Sequence, residues 1–266
     1  MVVLDRGDRD VDLVHVLPDD QATLLFTVAP GSRLSAGGAI ESGGGSLVLL
    51  GPPTRAYSRR FVDVPLTIVV TFKPAGAYLV SRAPMSQVTD TGVGLQAFIG
   101  DAAQRLNSAL SRAGSNAQRL DRLERFLIER LDGCSGRALR ATHVVDHAFV
   151  QLQRRCAADA RPDCDPIEGG ALATSGRQLR RLFKAVVGLN PHALVRIERF
   201  HRALQLARTT SVPQWADIAA RCGYFDQSHL IADFNYFGGA PPRRMLRLLG
   251  SGMPHLQGSW FSENTA

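Results

Sequence analysis

Residues Gly223–Gly239 read GYFDQSHLIADFNYFGG, and their reading decides the fold of the second half of this chain. Gly223 follows an apolar run, WADIAARC, at the point where a helix needs a left-handed exit residue. Asp226 stands where a side-chain oxygen accepts from the free N–H groups of a new helix. Leu230, Phe234 and Phe237 then recur at helical spacing and form one apolar face. The opposite face carries Gln227, Ser228, Ile231 and Ala232, with His229 beside it. A short turn between two helices whose small residues, Ala219 and Ala220, permit a close crossing is the pattern of a helix-turn-helix. In that motif the N-terminal end of the second helix enters the major groove of DNA. There Gln pairs with adenine edges, Ser and His donate or accept, and Ile or Ala touches a thymine methyl. The stretch therefore reads as half core and half reading edge.

Working backwards, a second unit has the same plan. Ser175 can cap GRQLRRLFKAVVG, with Leu179, Leu182, Phe183 and Val186 turned inward. Arg177, Gln178, Arg180, Arg181 and Lys184 remain outside as candidates for guanine edges and phosphates. Between the units PHALVRIERFHRALQLAR is an uninterrupted helical pattern. Its 18 residues span about 27 Å, close to one turn of DNA, so two reading helices could enter successive grooves. Charge agrees: residues 172–250 hold 12 Lys and Arg against 4 Asp and Glu, whereas residues 1–171 balance. The whole excess behind the net +7 lies in this region, which suits a polyanion. The second reading helix carries no Lys or Arg and one acid, Asp233. The sequence therefore predicts that the first unit anchors electrostatically and the second discriminates bases.

The 266-residue chain divides into a β-rich segment 1–133, a helical segment 134–250 and a tail 251–266. QATLLFTVAP, GSLVLLG and PLTIVVTFKP are short, partly β-branched runs bounded by Gly, Pro and Asp. They predict a small antiparallel barrel or sandwich, with GSRLSAGGAIESGGGS as a loop. Leu95, Phe98, Ile99, Leu106 and Leu110 make one helical stripe, stopped at Gly114. Leu120, Leu123, Phe126, Leu127 and Leu131 make another, ending at Gly133. The hairpin so formed could pack on the sheets or on its twin in a second copy, and a homodimer through residues 95–131 is expected. His15, Arg55, Tyr57 and Tyr78 are candidates for lining a pocket in the β-rich part. From 137 onward the pattern is helical, with helices expected near 137–159, 175–187, 191–208, 213–222, 226–237 and 241–249. The fold class is thus α+β in two domains: a β-rich N-terminal domain with a helical hairpin, and an all-α domain with two helix-turn-helix units.

Gly223, Tyr224, Asp226, Gln227, Ser228, His229, Leu230, Phe234, Phe237, Gly239 and Pro242, preceded by Ile218-Ala219, resemble the motif of the AraC/XylS family of bacterial transcription regulators. RQLRRLFKAVVGLNP matches the family's first unit, so the likeness covers roughly 137–248. VVTFKPAGAYLVSRAPMSQVTDTGVGLQAFIG resembles an N-terminal domain of some such regulators. The resemblance implies a cupin-like N-terminal domain that senses a small-molecule effector or dimerises. It further implies double-stranded DNA as a partner, with RNA polymerase as a candidate second one, and leaves open whether the protein acts as an activator or a repressor. Two departures stand out. PIEGGALATS is short and glycine-bearing where the family has a scaffold helix and turn before the position of Ser175. Ala232 and Asn235 stand where the family often has cations, so the second unit should grip phosphate weakly.

Enzyme readings find little support. His143 and His147 in HVVDH have a metal-ligand spacing on a helix but lack the Glu of a zinc protease and any third ligand. The GGG at 43–45 lacks the Lys-Ser/Thr of a phosphate loop. No catalytic residue, metal site or cofactor is expected. The remaining alternative is an adaptor or small-molecule-binding protein that keeps the helical fold without DNA. The four cysteines, Cys134, Cys156, Cys164 and Cys222, show no C-x-x-C spacing. The N-terminus lacks a signal-peptide pattern, and no apolar run approaches a membrane span, so a cytoplasmic location is expected.

Overall fold

The computed structural model describes residues 2–5, 11–28, 33–36, 38–40, 46–62, 66–158, 175–250 and 255–256. The strands are β1 (Val2–Asp5), β2 (Val11–Val16), β3 (Thr23–Val28), β4 (Arg33–Ala36), β5 (Gly38–Ile40), β6 (Ser46–Leu50), β7 (Tyr57–Val62), β8 (Leu66–Thr71), β9 (Gly92–Gly94) and β10 (His255–Leu256). They form two five-stranded sheets, ordered β1-β8-β3-β6-β9 and β10-β2-β7-β4-β5. Every pairing is antiparallel except that of β10 with β2.

Alternation along the central strands explains the first sheet. Phe26 stands opposite Ile68 and Leu47, while its neighbour Leu25 stands opposite Val69 and Val48. Successive side chains point to opposite faces, so these two sets lie in two separate buried clusters. A cupin-like closed barrel is not formed. Among the described residues the end strands of one sheet pair with none of the other, and β9, the three residues Gly92-Val93-Gly94, leads straight into a helix. The expected loop 31–46 also contains β4 and β5, because β4 finds a ladder on β7 from Arg33 to Ser35 despite its loop-like composition.

Helices α1 (Gly76–Ser81), α2 (Gln96–Ile99), α3 (Asp101–Ser111) and α4 (Asn116–Asp132) cover one face of that sheet. The stripe from Leu95 to Leu110 is not one helix. Gly100, at φ 53°, breaks it into α2 and α3, a backbone state open to glycine. Ser115 caps α4 by accepting from Gln118 N at 3.2 Å. Arg130 donates to Val80 O at 2.8 and 3.1 Å and ties α4 to the end of α1. Leu106, Leu110 and Leu123 are fully covered, and Leu120, Phe126 and Leu127 pack partly against the same core. Most of the predicted stripe therefore serves this chain's own sheet. Ile128 (50% exposed) and Leu131 (42%) are left half-open on α4.

The helical half comprises α5 (Gly136–Ala158), α6 (Gly176–Val186), α7 (Pro191–Thr209), α8 (Trp215–Arg221), α9 (Gln227–Gly238) and α10 (Pro242–Gly250). The expected helices are all present within two residues of each boundary. PIEGGALATS, the shortened stretch before Ser175, lies outside the described residues apart from Ser175. Among the described residues no helix is long and apolar enough to cross a membrane.

The two halves share a core. Leu17 and Ala75 belong to the same buried cluster as Phe149, Phe183, Phe200 and Phe234. His201 Nε2 lies 2.6 Å from Pro18 O, 183 residues away in sequence. Ala56 N donates to Phe237 O at 2.6 Å, and Thr89 Oγ1 to Gly188 O at 2.9 Å. The turn between β2 and β3 thus reaches α7, the loop before β7 reaches α9, and the loop before β9 reaches the end of α6.

Candidate nucleic-acid interface

The second unit is built from α8 and α9. Trp215, Ile218 and Ala219 are buried on α8, while Ala220, expected at the crossing, is exposed. Gly223 takes φ 73°, and the turn is closed by Tyr224 N donating to Ala219 O at 3.0 Å. Asp226 then accepts from His229 N at 2.7 Å and starts α9. Phe234 packs edge-on to Phe200 and Trp215, with centroids 5.0 and 6.1 Å apart, and Phe237 lies 5.7 Å from Phe200. These aromatic contacts fix the inner face of α9, so the outer face follows from geometry.

On that outer face Gln227, Ser228 and Ala232 are exposed. His229 is half-buried, with its ring edge-on to Tyr224 at 5.3 Å. Ile231 is half-buried too and packs against the helical core. Asn235 is exposed. Asp233 does not weigh on this face. It is 1% exposed, and Arg196 Nη2 on α7 donates to its Oδ1 at 2.6 Å. Its other oxygen, Oδ2, has no hydrogen-bond partner. The Arg196 guanidinium also lies 5.1 Å from the centre of the Phe237 ring.

In the first unit Ser175 caps α6 with a complete capping box. Its hydroxyl accepts from Gln178 N at 3.3 Å, and the Gln178 side chain accepts from Ser175 N at 3.2 Å. The carbonyl oxygen of Gln178 is therefore engaged locally. Arg177, Arg180, Arg181 and Lys184 are all exposed, while Leu179, Phe183 and Val186 are buried. Asn190 caps α7 by accepting from Ala193 N at 2.7 Å, with Pro191 at the first helical position. The 19 residues of α7 span about 28 Å between the units. Arg243, Arg244 and Arg247 are exposed on α10, a further basic row that the sequence reading did not single out.

The candidate pocket residues lie on different elements. His15 and Tyr57 sit on the paired strands β2 and β7, with His15 Nδ1 2.8 Å from Ser58 Oγ. Arg55 stacks 4.5 Å over the ring of Tyr236 on α9. Tyr78, on α1, packs between the two large cores. His143 and His147 are exposed on α5.

Sequence reasoning missed a buried acidic cluster where the halves meet. A cleft there is lined by Asp20, Phe149, Leu152, Gln153, Leu194, Ile197 and Glu198. Asp19 and Asp20 are 7% and 4% exposed. Burial raises both carboxyl pKa values, that of Asp19 well above the ordinary range with the neighbouring Asp20 charge adding to it. Glu198 is pushed up to about 8, chiefly by burial and then by Asp20, against the pull of Arg202. His201, 3% exposed, is pushed down to about 4 by burial. Its only sequence signal was polarity on the inner face of an otherwise regular helix.

The arrangement of α6 to α10 has known counterparts. Residues 170–248 match a family described as a helix-turn-helix domain. This segment is an AraC-type helix-turn-helix domain. The probable bifunctional transcriptional activator/DNA repair enzyme AlkA of Mycobacterium tuberculosis, in two strains, is 42% identical over 77 residues. That match takes in 28% of this chain and 15% of the relative's length. Crystal structures of ToxT from Vibrio cholerae are similar over more of the chain. The apo form is 16% identical, covers 93% of this chain and 96% of that one, and has a TM-score of 0.39. The unsaturated fatty acid-bound wild-type form is 12% identical, covers 91% and 97%, and has a TM-score of 0.40. Likenesses this low bear on neither ligand nor partner.

Proposed function

We propose that this chain is a sequence-specific DNA-binding transcription regulator whose AraC-type domain reads double-stranded DNA through α6 and α9. The observation that carries the reading is the pair of capped helices held by one 19-residue helix, with their outward faces exposed, in the basic part of the chain. Arg177, Arg180, Arg181 and Lys184 supply phosphate and guanine contacts from α6. Gln227, Ser228 and Ala232, with the accessible parts of His229 and Ile231, read bases from α9. Selection of sites from a random DNA pool, followed by footprinting, tests the reading. A protected stretch shorter than about one helical turn per monomer contradicts the two-groove geometry. Absence of any retarded DNA at moderate salt favours the adaptor reading instead.

Gln227→Ala is expected to cost about 1–3 kcal/mol on the preferred site, with the salt dependence nearly unchanged. Lys184→Ala weakens binding to all sequences alike and flattens the log–log salt slope by about one unit. Asn235→Lys steepens it by a similar amount. Isotherms over a salt series check all three. Equal slope changes for the first two variants would contradict the division of labour between the helices.

The β-rich half is proposed to carry the response to a small effector, supported by its direct contacts with α6, α7 and α9. Activation through RNA polymerase in the cytoplasm completes the reading. Dimerisation through the α3–α4 hairpin is proposed on the half-exposed Ile128 and Leu131. Light scattering of the full chain at tens of micromolar should give a dimer, and the Ile128→Glu, Leu131→Glu double variant a monomer. A monomeric wild type removes the idea.

A further inference from the structure

We propose that Asp90 is a positioning residue for DNA recognition: it locks two loops of the β-rich half into one brace that holds the two helix-turn-helix units at a fixed spacing. The inference rests on the DNA-binding reading above. Its geometry begins with the loops themselves. Asp90 accepts through Oδ1 from Thr54 N at 2.5 Å and through Oδ2 from Thr54 Oγ1 at 2.6 Å. Its own N–H donates to Pro52 O at 3.3 Å, and Gly51 N donates to Thr91 O at 3.1 Å. At Gly51 the loops approach so closely that a Cβ would lie 2.0 Å from Val88 O. Asp90 adopts φ 58°, a left-handed state that Asp and Asn tolerate better than most residues. The carboxylate is thus the clasp between residues 51–56 and 85–91.

Each loop grips a different reading unit. From the 85–91 loop, Thr89 Oγ1 donates to Gly188 O at the end of α6. Gly188 is at φ 93°, and a Cβ there would lie 2.7 Å from Thr89 Oγ1 and 3.0 Å from Met85 O. From the 51–56 loop, Ala56 N donates to Phe237 O near the end of α9, and Arg55 stacks on Tyr236. Pro53 O accepts from Asp19 N, beside the Pro18 carbonyl that meets His201 on α7. One clasped pair of loops therefore touches α6, α9 and, through residues 18–19, the helix between them. Separation of two reading helices decides which spacing of DNA boxes both can enter. One inserted base pair turns a box by about 34–36° and moves it about 3.4 Å. A rigid pair then loses the base contacts of one unit, while a loosened pair adjusts.

The test uses the full chain and its preferred site from a random pool, with one base pair inserted or removed between the two protected boxes. Wild type should bind the respaced site about tenfold or more weakly, the worth of a lost bidentate base contact. Asp90→Ala should shrink that ratio to below about threefold on the same principle. Asp90→Asn, which keeps an acceptor for Thr54 N and tolerates the left-handed backbone, should restore the wild-type ratio. If Asp90→Ala fails to fold, Thr54→Ala, which removes only the hydroxyl bond, carries the test and should lower the ratio part-way. A general loss of stability weakens binding to both sites equally and leaves the ratio unmoved. A loosening variant that folds and keeps the wild-type ratio overturns the proposal. A wild type with no preferred DNA at all overturns instead the reading on which it rests.

Discussion

Arg196→Ala should lower the free energy of unfolding by about 3–5 kcal/mol, seen as a fall in the denaturant midpoint at constant m. The reason is asymmetry. Removing the guanidinium strands the Asp233 carboxylate at 1% exposure, with one oxygen already lacking a partner. A buried charge without its partner costs far more than an exposed ion pair contributes. Arg196 also covers the Phe237 ring, so its stem and face are lost together. Asp233→Leu in the same chain should recover most of the loss, because no buried charge then remains. DNA affinity should fall with Arg196→Ala and return with the double variant, since the Arg196–Asp233 pair ties α9 to α7. A cost below about 1 kcal/mol for Arg196→Ala would show that water or another group satisfies Asp233.

The second large effect is a dependence on pH. Glu198 holds its proton more tightly in the folded chain, at about 8 against an ordinary 4.5. Its contribution is therefore complete below pH 4.5 and is lost as pH rises through 8. Asp19 and Asp20 are shifted in the same direction. His201 is depressed from 6.5 to about 4, so it costs stability as pH falls below 6.5 through 4. Between pH 6.5 and 8 the folded imidazole is neutral and the unfolded one loses the last of its charge, so the falling slope is set by Glu198, with Asp19 and Asp20 acting in the same direction. Stability should drop by about 2 kcal/mol over that window. Glu198→Gln should make it shallower, the remainder belonging to Asp19 and Asp20, while leaving the acid limb in place. Thermal melts at half-unit pH steps check this, and a wild-type profile already flat from 6.5 to 8 would refute it. Opening of the cleft between the β-rich half and α7 should follow the same curve, measured by hydrogen exchange in residues 17–22.

What was legible in the sequence was local. Ser175, Asp226 and Gly223 act on backbone groups within four residues of themselves, so their roles survive any tertiary arrangement. Helical periodicity gave Leu230, Phe234 and Phe237 their inward face for the same reason. Asp233 was misplaced because its partner, Arg196, lies on another helix, and a helical wheel does not reveal which exposed-looking acid meets a cation 37 residues away. Gly100 was read through because the apolar stripe continues in phase across it. Barrel closure failed as an expectation because strand count and spacing leave open whether the last strands pair. The contacts of His201, Asp19 and Asp90 are set by long-range approach, and no short window of sequence encodes them.

The shared core limits how this chain can be cut and rejoined. A designer swapping sensors would place the junction near residue 134, where composition changes from strand-rich to helical. Leu17 and Ala75 belong to the helical core, however, and the backbone of Ala56 completes the end of α9. A chimera made at that junction would uncover the surface these residues seal and release both ends of the reading pair at once. The transplantable cassette is the helical segment together with residues 17–22, 51–56 and 75–91, three separated stretches of chain. Exchange by a single crossover breaks it, so the β-rich and helical halves of this protein are expected to diversify by substitution within a joint unit and not by recombination of halves.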